Sequence, residues 1–221
     1  MTQENNAMTR PKGGQYRGKC SPALDVITRG GLLIYPTETL YALGADALNP
    51  AAVMRLAEVK GREPGKPLPL IIGSLEQLGL VTSQKHSDIF TLARSFWPGP
   101  LSVLVQARQE LSGLLCDAGG YVALRVTSHP LARELCLQSG VPLVATSANP
   151  GGKPPAALPD QLDPDLAAAV DCVLTQKPWP AGGPPSTVVQ ITGPDRLRVL
   201  REGAVTRGAL EGAGFTVHKV L

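Results

Sequence analysis

Short, continuous apolar runs alternate with capped helical stretches along this chain, and that alternation is what most narrows the folds open to it. "LLIY" before Pro36 is too short for a helix and apolar on both pleat faces, the pattern of a strand covered on both sides. "LII" at 70–72, "LSVLVQA", "YVALRV", "PLVATS", "CVLT", "TVVQI" and "LRVL" read as further strands. Helices are expected between them. Ser21 and Pro22 have the order of an N-cap and a first helical residue, with Gly30 and Gly31 closing that helix. Asn49 and Pro50 repeat the signal and carry a helix to Lys60, Ser87 caps "DIFTLARSFW", and "PLARELCLQSG" supplies another helix. An Ala-rich helical stretch lies near 160–170, and a short helix and a tail strand end the chain. The class this predicts is α/β with a twisted, mixed sheet. The Pro/Gly-rich segments 150–159 and 176–185 are too short for domain linkers and read as loops that line a site.

At 221 residues with an apolar fraction of 43%, the chain suits one sizeable core. Residues 1–20, which hold no apolar run, are expected to be a flexible N-terminal tail, and residues 21–221 a single domain. The formal charge of +3 does not by itself announce a nucleic-acid binder. Cys20, Cys116, Cys136 and Cys172 form no CxxC pair and have only three histidines to join them, which argues against zinc. No run reaches the ~20 apolar residues of a membrane span. The composition therefore predicts a soluble, cytoplasmic protein with reduced thiols.

The usual nucleotide-binding loops, GxxxxGK[ST] and GxGxxG, are missing. "NPGGKPP" mimics a phosphate loop, but two prolines after Lys153 remove the amides a cradle needs. "KGREPGKP" gathers Lys60, Arg62 and Lys66 against Glu63 alone, so it is either a phosphate grip or a solvated turn. Arg125 sits inside the apolar alternation of "YVALRV" and must meet an anion, either a ligand or a structural carboxylate. "PLVATSAN" ends in Thr146, Ser147 and Asn149, and "GGPPSTVVQI" enters its strand through Ser186 and Thr187. Ligands of open α/β sheets gather at strand ends, although caps and turns use the same residue types. In "YPTETLYALG", a buried strand is expected to stop at Pro36 and Gly44 to turn the chain away. Glu38 either orients Thr39 or a cation there, or is a plain structural partner.

Seven segments in order, "YPTETLYALG", "KGREPGKPLPLII", "WPGPLSVLV", "VALRVTSHP", "PLVATSANPGGKPP", "GGPPSTVVQI" and "LRVLREGAV", resemble the YrdC-like family, over about residues 20–205. That family includes the bacterial TsaC-type L-threonylcarbamoyladenylate synthases, and this chain is similar to their short, single-domain form. The resemblance implies one YrdC-like domain with helices around a concave, positively charged cavity. It implies a nucleotidyltransferase that condenses L-threonine, bicarbonate and ATP, with Mg²⁺ on the nucleotide, into L-threonylcarbamoyl-AMP and pyrophosphate for t6A modification of tRNA. It implies an L-threonine site of Thr39, Arg125, Thr146 and Ser186, with the Arg125 guanidinium on the amino-acid carboxylate. Lys60, Arg62, Lys66, Ser147, Asn149 and Arg201 would bind ATP, with Lys60 and Arg62 the catalytic pair. Downstream t6A-transferase proteins and transient tRNA or double-stranded RNA contact are the partners it implies. The chain departs from the family pattern at Ile71, often histidine, and at Glu202, where "LRPG" has proline.

The competing reading in the same fold is an RNA-binding or ribosome-maturation protein that makes no adenylate. Lys60 and Arg62 together with "PSTVV" favour the synthase. A carbamoyl-transfer module of hydrogenase maturation would bring zinc-finger cysteine pairs, and this chain has none. With 4% aromatics there is no stacking platform of the kind single-strand binders use.

Overall fold

The computed structural model describes residues 20–61, 66–84 and 86–219. Residues 1–19 of the proposed N-terminal tail and Arg62 fall outside the described residues, whereas Cys20, the last residue assigned to the tail, is buried in the core. In chain order the elements are α1 (Ser21–Thr28), β1 (Leu33–Pro36), β2 (Tyr41–Gly44), α2 (Pro50–Lys60), β3 (Leu70–Ile72), α3 (Leu78–Val81), α4 (Ser87–Phe96), β4 (Leu101–Gln106), β5 (Tyr121–Val126), α5 (Pro130–Ser139), β6 (Leu143–Val144), β7 (Thr146–Ser147), α6 (Pro164–Ala168), β8 (Cys172–Val173), β9 (Thr187–Gly193), β10 (Arg196–Arg201), α7 (Arg207–Gly212) and β11 (Thr216–Lys219).

Among the described residues the strands form two mixed sheets where one was expected. The smaller has the order β7-β2-β1-β8, and the larger β11-β10-β9-β4-β5-β3-β6. The "PLVATS" segment causes the split. Its first half, β6, pairs antiparallel with β3 in the larger sheet, and its second half, β7, pairs antiparallel with β2 in the smaller one. Val144 N–H also donates to Ala45 O at 2.9 Å, tying the sheets where the chain crosses between them.

β1 is covered on both faces, as its composition predicts. Leu32 and Ile34 join a core cluster with Leu43, Leu56, Leu70 and Val103, while Leu33 and Tyr35 join a second one with Leu24, Ile71 and Leu135 beneath α1 and α5. Strand alternation sends successive side chains to opposite faces, so one short apolar run can seal two cores. Ile71 is fully buried in that second cluster.

Local signals succeed where they are self-contained. Asn49 caps α2, its Oδ1 accepting Ala51 N–H and Ala52 N–H at 3.1 and 3.2 Å, and Gly61 ends the helix in the left-handed region at φ 59°. Two expected caps are displaced by one residue. Cys20, with no side-chain cap bond, precedes α1, and Ser21 lies inside it. His86 caps α4 in place of Ser87, because its Nδ1 accepts Asp88 N–H at 3.2 Å.

The "YPTETLYALG" segment matches its expected form at Pro36 and departs from it at Gly44. The buried strand stops at Pro36, as expected. Pro36 is the last residue of β1, paired with Tyr41, and residues 37–40 are the turn of a β1–β2 hairpin. Gly44 is the last residue of β2 and makes no turn. A Cβ there would lie 2.4 Å from Tyr35 Cε1 and 2.5 Å from Val144 O, so its service is close approach. Tyr35 fills that space and donates its hydroxyl to Val144 O at 2.7 Å.

Candidate active site

A cavity of about 570 Å³ opens between the small sheet and one face of the large one. Period-two alternation chooses what points into it. On β5, Ala123 and Arg125 line the cavity, while Val122 and Leu124 belong to the core. Leu104 of β4 stands opposite Ala123 on the same face. Arg201 of β10 pairs with Val188 of β9, and both line the wall beyond. Thr146 and Ser147 enter from β7, and Thr37 and Thr39 from the hairpin turn.

The turn is built without glycine. Thr37 N–H donates to Leu40 O at 3.1 Å, and Thr37 Oγ1 donates to the same carbonyl at 2.7 Å. Glu38 and Thr39 are thereby presented at the tip. The 176–185 segment straps across it, with Gly182 N–H bonded to Thr39 O at 2.9 Å and Ala181 N–H to Glu38 O at 3.3 Å. Gly182 and Gly183 have φ of 76° and 82°, a region where a side chain would be strained.

Arg125 meets its anion inside the protein. Its Nε donates to Glu38 Oε1 at 2.6 Å, and Thr127 Oγ1 donates to Glu38 Oε2 at 2.7 Å. Burial by itself raises the Glu38 pKa, but the Arg125 charge and these hydrogen bonds outweigh it and hold the carboxyl below its ordinary value. Among the described residues, the Arg125 Nη groups have no hydrogen-bond partner, and the guanidinium lines the cavity.

Arg201 is tied to Ser186. Its Nη2 donates to Ser186 O at 2.8 Å and to Ser186 Oγ at 3.1 Å, and the buried Ser102 Oγ lies 3.1 Å from the same hydroxyl. Burial first, then the Arg125 charge, press the Arg201 pKa below its ordinary value. Two guanidinium groups that repel across a partly desolvated space are relieved by an anion placed between them.

Lys60, in the last turn of α2, reaches the "TSAN" segment. Its Nζ donates to Ser147 O at 2.6 Å, to Asn149 O, and to Asn149 Oδ1 at 3.2 Å. Asn149 Nδ2 in turn closes the following loop on Lys153 O at 2.6 Å.

Of the residues singled out in the sequence, the structure brings Thr39, Lys60, Arg125, Thr146, Ser147, Ser186 and Arg201 to one cavity. Asn149 lines an adjoining recess, and Lys66 is exposed outside the cavity lining. Ile71 does not reach the lining either. Sequence reasoning missed Ser102 and Thr127, which read as ordinary strand residues, and Asp117, which lines the cavity while its Oδ1 accepts Gly119 N–H and Tyr121 N–H at 2.9 Å. The run "DAGGY" carries the signature of such a turn and could have located Asp117. Among the described residues no group of three or more His, Cys, Asp or Glu could hold a metal ion. No helix there is long and apolar enough to cross a membrane.

A family model for Sua5, YciO and YrdC proteins, described as "Telomere recombination", matches residues 25–203. The chain belongs to this family. A Mycobacterium tuberculosis relative named "Putative threonylcarbamoyl-AMP synthase" is 39% identical over 187 residues, covering 83% of each chain. A Pyrococcus abyssi threonylcarbamoyl-AMP synthase is 35% identical over 152 residues, which are 69% of this chain and 45% of that protein. The crystal structure of P. abyssi Sua5 complexed with L-threonine superposes with a TM-score of 0.80 at 33% identity, covering 89% of this chain and 58% of the other. This member of the family thus spans about half the length of the P. abyssi relative it matches.

Proposed function

We propose that the chain is an L-threonylcarbamoyladenylate synthase, a nucleotidyltransferase acting on L-threonine, bicarbonate and ATP. The observation that carries this reading is the convergence of Lys60, Arg125 and Arg201 with the hydroxyls of Thr37, Thr39, Thr146, Ser147 and Ser186 in a single cavity. The threonine complex of P. abyssi Sua5 adds support. Lys60, Arg125 and Arg201 share the lining with Asp117, and Glu38 pairs with Arg125 from behind it, so cationic groups are at hand for carboxylate and phosphates.

Arg125 takes the threonine carboxylate through its Nη edge, with Thr39, Thr146 and Ser186 around it. Lys60, Ser147, Asn149 and Arg201 would bind the ATP, with Arg62 and Lys66 as the further phosphate-binding residues and Lys60 and Arg62 the catalytic pair. The threonine nitrogen attacks the bicarbonate carbon, water leaves, and a carbamate forms. A carbamate oxygen then attacks the α-phosphorus of ATP, the bond to the β-phosphate oxygen breaks, and pyrophosphate departs. Mg²⁺ arrives on the nucleotide and offsets phosphate charge. The protein's own contribution is to hold mutually repelling anions together, through positioning and preorganised cations. The labile adenylate would pass to t6A-transferase proteins acting on tRNA in the cytoplasm, with tRNA touching this chain at most transiently.

Calorimetric titration of L-threonine tests the site. The intact protein should bind it, with Arg125→Ala weakening binding by about 100-fold, the scale of a lost charge-assisted carboxylate contact. Equal binding by both proteins would overturn the assignment of Arg125.

A further inference from the structure

The Glu38 carboxylate is spent on one partner set. Its side chain is 10% exposed and that of Arg125 5%, and they meet at 2.6 Å through Nε, the edge of the guanidinium opposite one of its Nη groups. Glu38 is not on the cavity lining, whereas its neighbours Thr37 and Thr39 are. The hairpin tip therefore turns Glu38 toward β5 and the threonines toward the ligand space. Thr127 completes the arrangement: it accepts His129 N–H at 3.3 Å and gives its single hydroxyl proton to Glu38 Oε2 at 2.7 Å. A backbone amide orients the threonine, the threonine orients the carboxylate, and the carboxylate orients the guanidinium.

From this geometry we infer that Glu38 is a positioning residue for the amino-acid carboxylate, acting through Arg125 with Thr127 as its support. The inference rests on the synthase reading given above. A guanidinium on a flexible stem is preorganised only if one edge is fixed, and fixing Nε leaves the two Nη donors as the fork for a carboxylate. Glu38 also carries the strap, since Ala181 N–H bonds its carbonyl while Gly182 N–H bonds that of Thr39. The orientation of Arg125 and the position of the segment leading to Ser186 are thus set from the same turn.

The test is the ratio of KM for L-threonine to KM for ATP, measured by pyrophosphate release with bicarbonate and Mg²⁺ present. Glu38→Ala should raise that ratio by at least about fivefold, since a charge-assisted contact is loosened on the threonine side alone. Glu38→Gln, which keeps an acceptor for Arg125 Nε, should recover part of the loss. Thr127→Val is nearly isosteric and off the cavity lining, and should raise the ratio by at least about twofold. Smaller changes in both Glu38→Ala and Thr127→Val overturn the positioning role. If Glu38→Ala does not fold, Thr127→Val alone decides by the same threshold. Wild-type protein that releases no threonine-dependent pyrophosphate would instead remove the synthase reading, and this inference with it.

Discussion

At the scale of single residues, Glu38 and His129 are largely buried close to the candidate site, and both make a prediction about acid. Burial would raise the Glu38 pKa, but Arg125 and Thr127 hold it below its ordinary 4.5. A carboxylate depressed in the folded state stabilises the protein above its unfolded pKa, and that stability is lost as pH falls through the folded value. His129 behaves in parallel. Burial holds its pKa below the ordinary 6.5, opposed only in part by its bond to Pro178 O and the Glu38 charge. Because Pro178 O can only accept, the 3.0 Å bond requires the proton on Nε2, and buried Nδ1 is left without a partner. The neutral imidazole therefore stabilises above its unfolded pKa, and protonation on acidification removes that contribution. Urea unfolding should show stability falling in two stages, first below about pH 6.5 and then below about pH 4.5. His129→Gln should flatten the first stage and Glu38→Gln the second. Unaltered pH profiles in both variants would contradict this account of the two groups.

At the scale of elements, legibility in the sequence tracked how local each determinant is. The Asn49–Pro50 start of α2 was readable because the cap, the fixed proline φ and the bonded amides lie within four residues. The start of α4 was misplaced because a histidine nitrogen, rarely the capping acceptor, did the work assigned to Ser87. The β1–β2 hairpin was hidden by a tip of Glu38 and Thr39, neither of which advertises a tight turn. Arg125 stood out as a charge in an apolar alternation, but its partner lies 87 residues away and could not be named from spacing. The division into two sheets was equally unreadable, since it depends on β1 pairing with β8 and on the crossing inside "PLVATS". One close approach at element level yields a further prediction. A Cβ on Gly203 would lie 2.2 Å from Pro185 O and 2.7 Å from Ser186 C and Thr187 N, pushing the β9 entrance away from β10. Gly203→Ala should cost about 1–3 kcal/mol of stability and reduce threonine affinity, although residue 203 is not part of the cavity lining. Calorimetric melting and threonine titration measure the two effects, and a variant indistinguishable from wild type in both would show that the entrance yields freely.

At the scale of the whole molecule, the two sheets divide the labour. The large sheet contributes an apolar wall punctuated by Arg125 and Arg201, while the small sheet and its hairpin bring the hydroxyls of Thr39, Thr146 and Ser147 to face it. Lys60 stitches the last turn of α2 to the "TSAN" segment that leaves the small sheet. The architecture thus brings the proposed amino-acid-binding groups and the proposed phosphate-binding Lys60 and Arg201 into one space, which is what joining threonine to a nucleotide demands. The most direct measurement of that claim is product formation. Purified protein incubated with ¹⁴C-bicarbonate, L-threonine, Mg²⁺ and ATP should yield a labelled threonylcarbamoyl adenylate that requires all three substrates, with Lys60→Ala reduced by at least about 100-fold. Absence of labelled adenylate from folded wild-type protein, or its formation at the same rate by Lys60→Ala, would contradict the account.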